Sequence, residues 1–496
     1  MSKSIIYWFR QDLRLADNPA LLHASQTGKR IIPIYIFDPN DRPIGMAASW
    51  WREQSLINLG AELKKIGANL NFYEGRPLDI FQKLASFYDA DEIVWSRQYD
   101  GYSVARDKEI KQTFSDKGIQ CASFNASLLF EPWLIKNKSG SHFKVFSPFW
   151  RQCMAENQPD SPCPRPAELR GHPDIDPFQI PLPATPLDDD ADLVTEEWTP
   201  GESGAYQQLE KFVEEGLAIY AEFRDFPDRL ATSRLSPYLR WGEISPRQIW
   251  SKIQFVKSHE SFSEKTVTKF LAEIGWREFS YHLIFHVPEM ATQNLQPSFN
   301  DFPWEENGKA LQLWKEGNTG YPLVDAGMRE LRRTGYMHNR VRMITASFLI
   351  KHLMIDWRAG EKYFWDRLLD ACPANNIAGW QWVAGSGADA APFFRIFNPI
   401  IQGEKFDPNG SYTKRFIPEL AHLEQKHLFS PWKSKSDRVE TDFQEGQYPD
   451  PIVEHEYARN RALEAFQQIR RRFSLVSVNK PLVQFCSVNL IEGEAK

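Results

Sequence analysis

Cysteine is scarce in this chain: Cys121, Cys153, Cys163, Cys372 and Cys486 are the five among 496 residues, scattered and without metal-ligand spacing. Such a set excludes a disulfide framework, a structural zinc site and an iron–sulfur cluster, and it fits a reduced cytosolic setting. Long apolar runs are missing too. The opening MSKSIIYWFRQDLRL turns to charge after a stretch too short for a signal peptide and far too short for a membrane span. There is no basic excess, the net charge being −6, so wholesale electrostatic wrapping of nucleic acid is excluded. A local basic groove is not, because phosphates respond to a patch rather than to a total. No G-x-G-x-x-G turn follows the first apolar segment, so the ordinary dinucleotide fingerprint does not apply. What is present is a globular balance, 42% hydrophobic and 25% charged, with length for about two to four domains. Aromatics are abundant, with 17 Trp, which composition alone reads as a rich core rather than a surface for stacking or electron movement.

Five short apolar segments punctuate the first 130 residues: Ile5–Phe9, Ile31–Phe37, Leu70–Tyr73, Ile93–Trp95 and Ala122–Phe130. Helical patterns alternate with them at Pro19–Ser25, Ser49–Ile66, Leu78–Tyr88 and Val104–Phe114. This alternation predicts a doubly wound, Rossmann-like parallel sheet over residues 1–131, with ligands at the C-terminal ends of its strands. Residues 132–203 read as an interdomain connector, because Pro159–Pro200 is rich in Pro and Asp and lacks the apolar content for a core. Helical periodicity then dominates residues 204–472, predicting an all-α domain, and 473–496 is a short extension with no legible motif. The expected fold class is therefore α/β plus all-α.

Four constellations could carry chemistry. Thr232-Ser233-Arg234-Leu235-Ser236-Pro237, with Gly242-Glu243-Ile244-Ser245-Pro246 after it, offers hydroxyls ahead of helices. These are ordinarily N-caps, yet the same free N–H groups and hydroxyls can cradle a phosphate. Phe270, Glu273, Trp276 and Arg277 share one helix face; there Glu273 is either half of an ion pair with Arg277 or a carboxyl of raised pKa that donates a hydrogen bond. Asn339, Arg342 and Met343 also share a face, and Arg329, Arg332 and Arg333 upstream suggest a groove for phosphates. Finally, Asn375-Asn376 leads into Gly379-Trp380-Gln381-Trp382 and Gly385–Gly387, where backbone can approach a flat ligand closely. Arg329–Pro399 is expected to form the floor of one site.

Together with Phe9–Leu15, these stretches resemble the photolyase/cryptochrome flavoprotein family. The resemblance runs in order from Tyr7 to about Ile469, through the motifs Trp276-Arg277-Glu278-Phe279, Tyr336–Met343 and Asn375–Trp382. The branch that repairs six-four photoproducts carries His where this chain has Asn339, and plant cryptochromes carry Asp there and at Asn376. The pattern here is similar to bacterial class I photolyases of cyclobutane pyrimidine dimers. The resemblance implies that Tyr220, Thr232, Ser233, Arg234, Leu235 and Ser236 hold the FAD diphosphate and ribose. It places Phe270, Arg277, Asn339, Arg342, Asp370 and Asn376 around the flavin, with Ala371 and Cys372 at its edge. Glu273, Trp276, Trp382 and Met343 would meet the lesion, and Arg224, Arg340 and Arg395 the DNA phosphates. Trp380, Trp357 and Trp304 would relay electrons to the flavin.

The activity implied is light-driven DNA repair, in which reduced FAD gives an electron to a dimer flipped into the pocket and receives it back. The implied partner is ultraviolet-damaged DNA, with no membrane contact, and a monomer in the bacterial cytosol near the nucleoid is expected. Two departures stand out. Cys372 replaces an acidic residue usual in the family at the FAD edge, where weaker FAD binding is expected. Ser103 stands where folate-binding relatives have Glu, which leaves the antenna open between methenyltetrahydrofolate, a deazaflavin, another flavin or none. The rival reading is a cryptochrome-type blue-light receptor; a nucleotide-activating enzyme is disfavoured by the missing phosphate loop.

Overall fold

The five apolar segments become β1 (Ser4–Phe9), β2 (Arg30–Phe37), β3 (Asn71–Glu74), β4 (Ala90–Ser96) and β5 (Gln120–Phe124). They belong to a computed structural model that describes residues 3–156, 158–259, 262–389, 394–433 and 448–478. Every residue of β1 is buried, as a parallel strand covered on both faces requires. One face packs on α1 (Pro19–Gln26) and α2 (Met46–Lys65), the other on α3 (Pro77–Phe87) and α4 (Gly101–Ser115). β5 stops at Phe124, short of the expected Phe130. The cause is Asn125, whose side chain accepts from the N–H groups of Ser127 (3.3 Å) and Leu128 (3.0 Å) and turns the chain.

All pairings are parallel, in the order β3-β2-β1-β4-β5. The order reverses between β1 and β4, the switch point at which open α/β sheets bind ligands. Here the chain fills that crevice itself. Arg10 clamps Asp107 (2.9 and 3.1 Å), and Asp12 accepts from the Arg10 N–H (2.7 Å), Tyr7 Oη (2.7 Å) and Ser96 Oγ (2.6 Å). The space left, about 10 Å³ closed over by Tyr281 and Pro373, suits at most one water. At this point the expected crevice is thus reduced to a small gap between the domains.

The Pro- and Asp-rich stretch borrows its core from its neighbours. α5 (Phe146–Glu156) packs on the helical domain, Phe143, Phe149 and Trp198 join the main core, and Gly171 bridges to Ile31 beside the sheet. After α6 (Val194–Glu197) and α7 (Glu202–Lys211) come the short α8 (Tyr220–Phe223) and α9 (Ser236–Trp241), then α10 (Pro246–His259). α11 (Glu264–His286) is the long helix at the centre. α12 (Gly308–Glu316), α13 (Pro322–Thr334), α14 (Asn339–Ser347), α15 (Trp357–Arg367) and α16 (Asn375–Ala384) surround it. A closing helix spans His455–Val478, past the expected end at 472, and residues 479–496 of the expected extension lie outside the described residues. No helix among the described residues is long and apolar enough to cross a membrane.

The second half of the first constellation joins the domains instead of facing a ligand. Gly242 (φ 69°) lies so close to β1's exit that a Cβ would stand 2.1 Å from the Gln11 carbonyl. Glu243 is fully buried, accepts from Trp51 Nε1 (3.0 Å) and Ser55 Oγ, and burial pushes its carboxyl up to about 8. Ser245 Oγ accepts from the Gln248 N–H (3.0 Å) and donates to Asp17, so at this position the cap reading holds.

Candidate functional site

α9, α11, α14, α16 and the loop before α16 enclose a cavity of about 570 Å³, within the range of small-molecule sites. The helix faces read from the sequence converge here. Phe270, Glu273, Trp276 and Arg277 line one wall; Asn339, Arg342 and Met343 line a second; Asn376, Trp380 and Trp382 line a third. Ser233, Leu235, Ser236, Asp370, Ala371 and Cys372 complete it. The floor expected over Arg329–Pro399 contracts to Tyr336–Ala388, with 390–393 outside the described residues. Arg329, Arg332 and Arg333 do not form a basic groove: α13 turns them to Glu419, Asp190 and Asp192, which neutralise them.

Several features fit FAD. Arg342 holds Asp370 through two bonds (3.0 and 2.8 Å), and Asp370 also accepts from Ser236 Oγ (2.6 Å). Burial works against the Arg342 charge, but Asp370 outweighs it and leaves the guanidinium above its ordinary value. Ser236 therefore orients an acid rather than capping α9, whose cap position, Leu235, has no side-chain bond. Arg240, one turn further along α9 and nearly buried, donates from Nε to the Ala371 carbonyl (2.5 Å), while its buried Nη1 has no protein partner. A buried, unanswered guanidinium nitrogen on a cavity wall suits an anionic ligand. Gly379 leaves open the space that a Cβ would fill.

Asn376 donates from Nδ2 to the Glu361 carbonyl (3.2 Å) and carboxylate (2.9 Å), which leaves Oδ1 as the atom it offers a ligand. Glu361 is gripped in turn by Arg42 of the α/β domain through two 2.8 Å bonds. Cys372 turns its sulfur toward the start of α16: Sγ accepts from the Asn375 N–H and side-chain amide (both 3.1 Å), and the Cys372 carbonyl accepts from the Asn376 N–H (3.1 Å). These are the bonds of an N-cap, and Pro373 follows where Pro is favoured. The usual acid at this position reads as a cap that Cys372 replaces with a weaker acceptor.

At the mouth, Glu273 forms an ion pair with Arg224, which follows α8; Arg277, the expected i,i+4 partner, instead donates to the Ser127 carbonyl (2.7 Å). The isolated buried carboxyl expected at Glu273 is in fact half-exposed and paired, an acceptor. Trp276 is stacked face to face on Phe146 of α5, centroids 3.8 Å apart. The next residue of the motif, Glu278, is buried, accepts from the Leu129 (2.8 Å) and Phe130 (3.2 Å) N–H groups, and burial pushes it up to about 7.

Tyr220, Thr232, Arg234, Arg340, Arg395, Trp304 and Trp357 lie off the cavity wall. Tyr220 is buried behind Arg224, its hydroxyl accepting at 3.4 Å. Arg234, in the left-handed region (φ 51°), bonds Glu197 (2.6 Å) and covers the Trp198 ring, and neighbouring Thr232 is likewise off the wall. Arg340 pairs with Asp225 (2.9 Å) over Phe406. Arg395 borders a separate small crevice with Lys351 and Trp382. Trp380 rests on Gly360 of α15, and Trp357 lies on that helix one turn earlier, donating to Asn294 Oδ1 (2.9 Å). Trp304 packs on Phe302 (4.4 Å), next to Glu305, whose N–H bonds the Met354 carbonyl (2.8 Å). Sequence reasoning missed Arg240, Tyr281, Arg42 and Phe146; helical spacing from Ser236 and Arg277 could have found the first two, while Arg42 and Phe146 come from other elements and leave no local signal.

The family model for the FAD binding domain of DNA photolyase matches residues 270–468, and that for DNA photolyase matches residues 5–167. The chain is 46% identical over 475 residues to a deoxyribodipyrimidine photo-lyase of Agrobacterium fabrum, covering 94% of this chain and 98% of that one. It is 35% identical to cryptochrome-2 of Arabidopsis thaliana, covering 95% and 80% respectively. The solved structure of a bacterial class III photolyase from Agrobacterium tumefaciens matches with a TM-score of 0.90 at 46% identity, over 95% of this chain and 98% of that one. With both domains matched and a cavity that fits FAD, the chain belongs to the photolyase/cryptochrome family and is an FAD enzyme of the photolyase kind.

Proposed function

We propose that this protein splits cyclobutane pyrimidine dimers in ultraviolet-damaged DNA under blue light. The observation that supports this most is the continuity of one cavity: walls suited to FAD pass without a break into a rim of Glu273, Trp276, Met343 and Trp382. Held by Ser236, Arg240, Arg342, Asp370 and Asn376, reduced FAD would supply the light-driven electron chemistry on which opening of the cyclobutane ring depends. The chain's own residues make that transfer productive. Trp276, braced by Phe146, and Trp382 offer flat apolar surfaces to a dimer that has left the stack, and a lesion's poor stacking lowers the cost of leaving. Glu273 accepts hydrogen bonds from the extruded bases and fixes their distance from the cofactor. Arg224, Arg340 and Arg395 serve the phosphates, and Trp304, Trp357 and Trp380 form the relay from surface to cofactor.

Within the photolyases, the 46% identity favours class III over the class I branch that the motifs suggested. The test is illumination of reduced protein with DNA carrying a thymine dimer, scoring recovered monomer. Recovery is expected. A normal FAD content without recovery would replace this reading with a blue-light receptor.

A further inference from the structure

Four charged side chains, two of them on the cavity wall, cluster beside it and cancel in pairs. Arg224 is bound to Glu273, Arg340 to Asp225 (2.9 Å), and Arg224 Nε also stands 4.0 Å from Asp225. The pairs are partly open to solvent, with side-chain exposures of 28% and 34% for Arg224 and Glu273. Their positions are braced: Lys269, one turn before Glu273 on α11, donates to the Ala221 carbonyl of α8 (3.2 Å), and Arg340 lies over the Phe406 ring (4.5 Å). Two cations that the proposed function gives to phosphates are thus neutral as pairs before DNA arrives, on a chain whose net charge is already −6.

The two pairs differ in one respect. Asp225 is not among the cavity-lining residues, whereas Glu273 lines the cavity one helical turn from Trp276. A flipped dimer that donates its base N–H groups to Glu273 competes with Arg224 for the same carboxylate, and the displaced guanidinium is then free for a phosphate. Duplex without a lesion does not place a base there and leaves the pair closed.

We propose that the Arg224–Glu273 ion pair is a specificity latch, which withholds one phosphate contact from undamaged DNA and releases it when an extruded lesion takes Glu273. The inference rests on the proposed repair function. It makes Glu273 act in two directions, as a contact for the lesion and as an internal stand-in for phosphate against everything else.

The experiment measures binding in the dark to one short duplex with and without a single thymine dimer, across a salt series. In Glu273→Gln, affinity for the undamaged duplex rises about three- to tenfold at low salt, and its log–log salt slope steepens by about 0.9, the signature of one added phosphate contact. Affinity for the dimer falls, so the preference narrows from both sides. Adding Arg224→Ala abolishes the gain on undamaged DNA. Asp225→Asn, which frees Arg340 and leaves the Arg224–Glu273 bond in place, strengthens both duplexes alike and keeps their ratio. FAD content and melting equal to those of the parent show that each variant is folded; if Glu273→Gln fails this check, Arg224→Gln, which removes the cation to be released, must lower dimer affinity by a larger factor than it lowers affinity for the undamaged duplex. Unchanged undamaged affinity in Glu273→Gln, or a gain that survives Arg224→Ala, overturns the latch. A parent protein that binds both duplexes equally overturns the repair reading instead.

Discussion

The sulfur of Cys372 is the place where one substitution should improve the site. Its Sγ takes two N–H donors at 3.1 Å, and Ala374, directly before α16, has no side chain to offer them. A thiol sulfur is a weak acceptor, while a good capping side chain is worth about 0.5–2 kcal/mol over Ala. A carboxylate at a helix N-terminus adds about 0.3–1 kcal/mol through the aligned peptide dipoles. Against this stands the cost of burying a charge where Cys372 is 3% exposed. That cost is reduced by the positive charge of Arg240, whose Nε bonds the adjacent Ala371 carbonyl. The balance for Cys372→Asp is a gain of about 1–2 kcal/mol. Because α16 carries Asn376, Gly379, Trp380 and Trp382 on the cavity wall, a firmer first turn should also hold FAD more tightly, by up to about tenfold for each 1.4 kcal/mol transmitted. Denaturant midpoints of the FAD-free protein and FAD dissociation rates in the dark give the assay, with Asp ranked above Ser, Ser above Cys and Ala last. If Asp and Ser fall at or below Cys while Ala is no worse, the sulfur is not acting as a cap and the reasoning fails.

Arg240→Met keeps an apolar, unbranched stem but removes the cation from the cavity, and FAD affinity should fall by about 1.5–3 kcal/mol, the worth of a charged hydrogen bond; equal affinity by titration would show that Arg240 does not face the cofactor. Gly360→Ala places a Cβ 2.1 Å from Trp380 Cη2 and 2.6 Å from Leu349 Cδ2, so melting should show a loss of about 1–3 kcal/mol and photoreduction of FAD should slow as Trp380 is displaced. A parent-like melt would mean that the α15–α16 contact is looser than described. Lys351 is 3% exposed, and burial pulls its amine down to about 7 from 10.5. A lowered amine binds its proton less tightly in the folded state, so the buried charge weakens the fold below about pH 7, and the penalty fades as pH rises toward 10.5. Lys351→Met should therefore stabilise by a few kcal/mol at pH 6 and by little near pH 10; a stability difference that does not change with pH would refute the assignment.

What could be read from the sequence was whatever depends on near neighbours in the chain. The shared face of Phe270, Glu273, Trp276 and Arg277 follows from helix geometry alone, and all four reached one wall. The alternation of strands and helices foretold the parallel sheet for the same reason, and β5 missed its end only because one Asn side chain turned the chain. The narrowing of the switch-point crevice could not be read because it depends on Asp107 meeting Arg10 across 97 residues, which no local pattern records.

Charge was the least legible quantity, and this bears on function. Arg329, Arg332 and Arg333 look basic in sequence because their partners, Glu419, Asp190 and Asp192, are 90, 142 and 141 residues away. Glu273 looked like half of an i,i+4 pair, yet its partner is Arg224, 49 residues earlier. An ion pair is a property of two surfaces brought together, and its strength and its availability to a third group are set only by the fold. The cofactor half of this site, built from single helix faces, could therefore be written down from motifs. The DNA half is made of pairs, and whether an arginine there is offered or withheld is decided by which acid the fold places beside it. On the proposed function, discrimination of a lesion from intact duplex is therefore to be sought in contacts that break and re-form, not in a tally of basic residues.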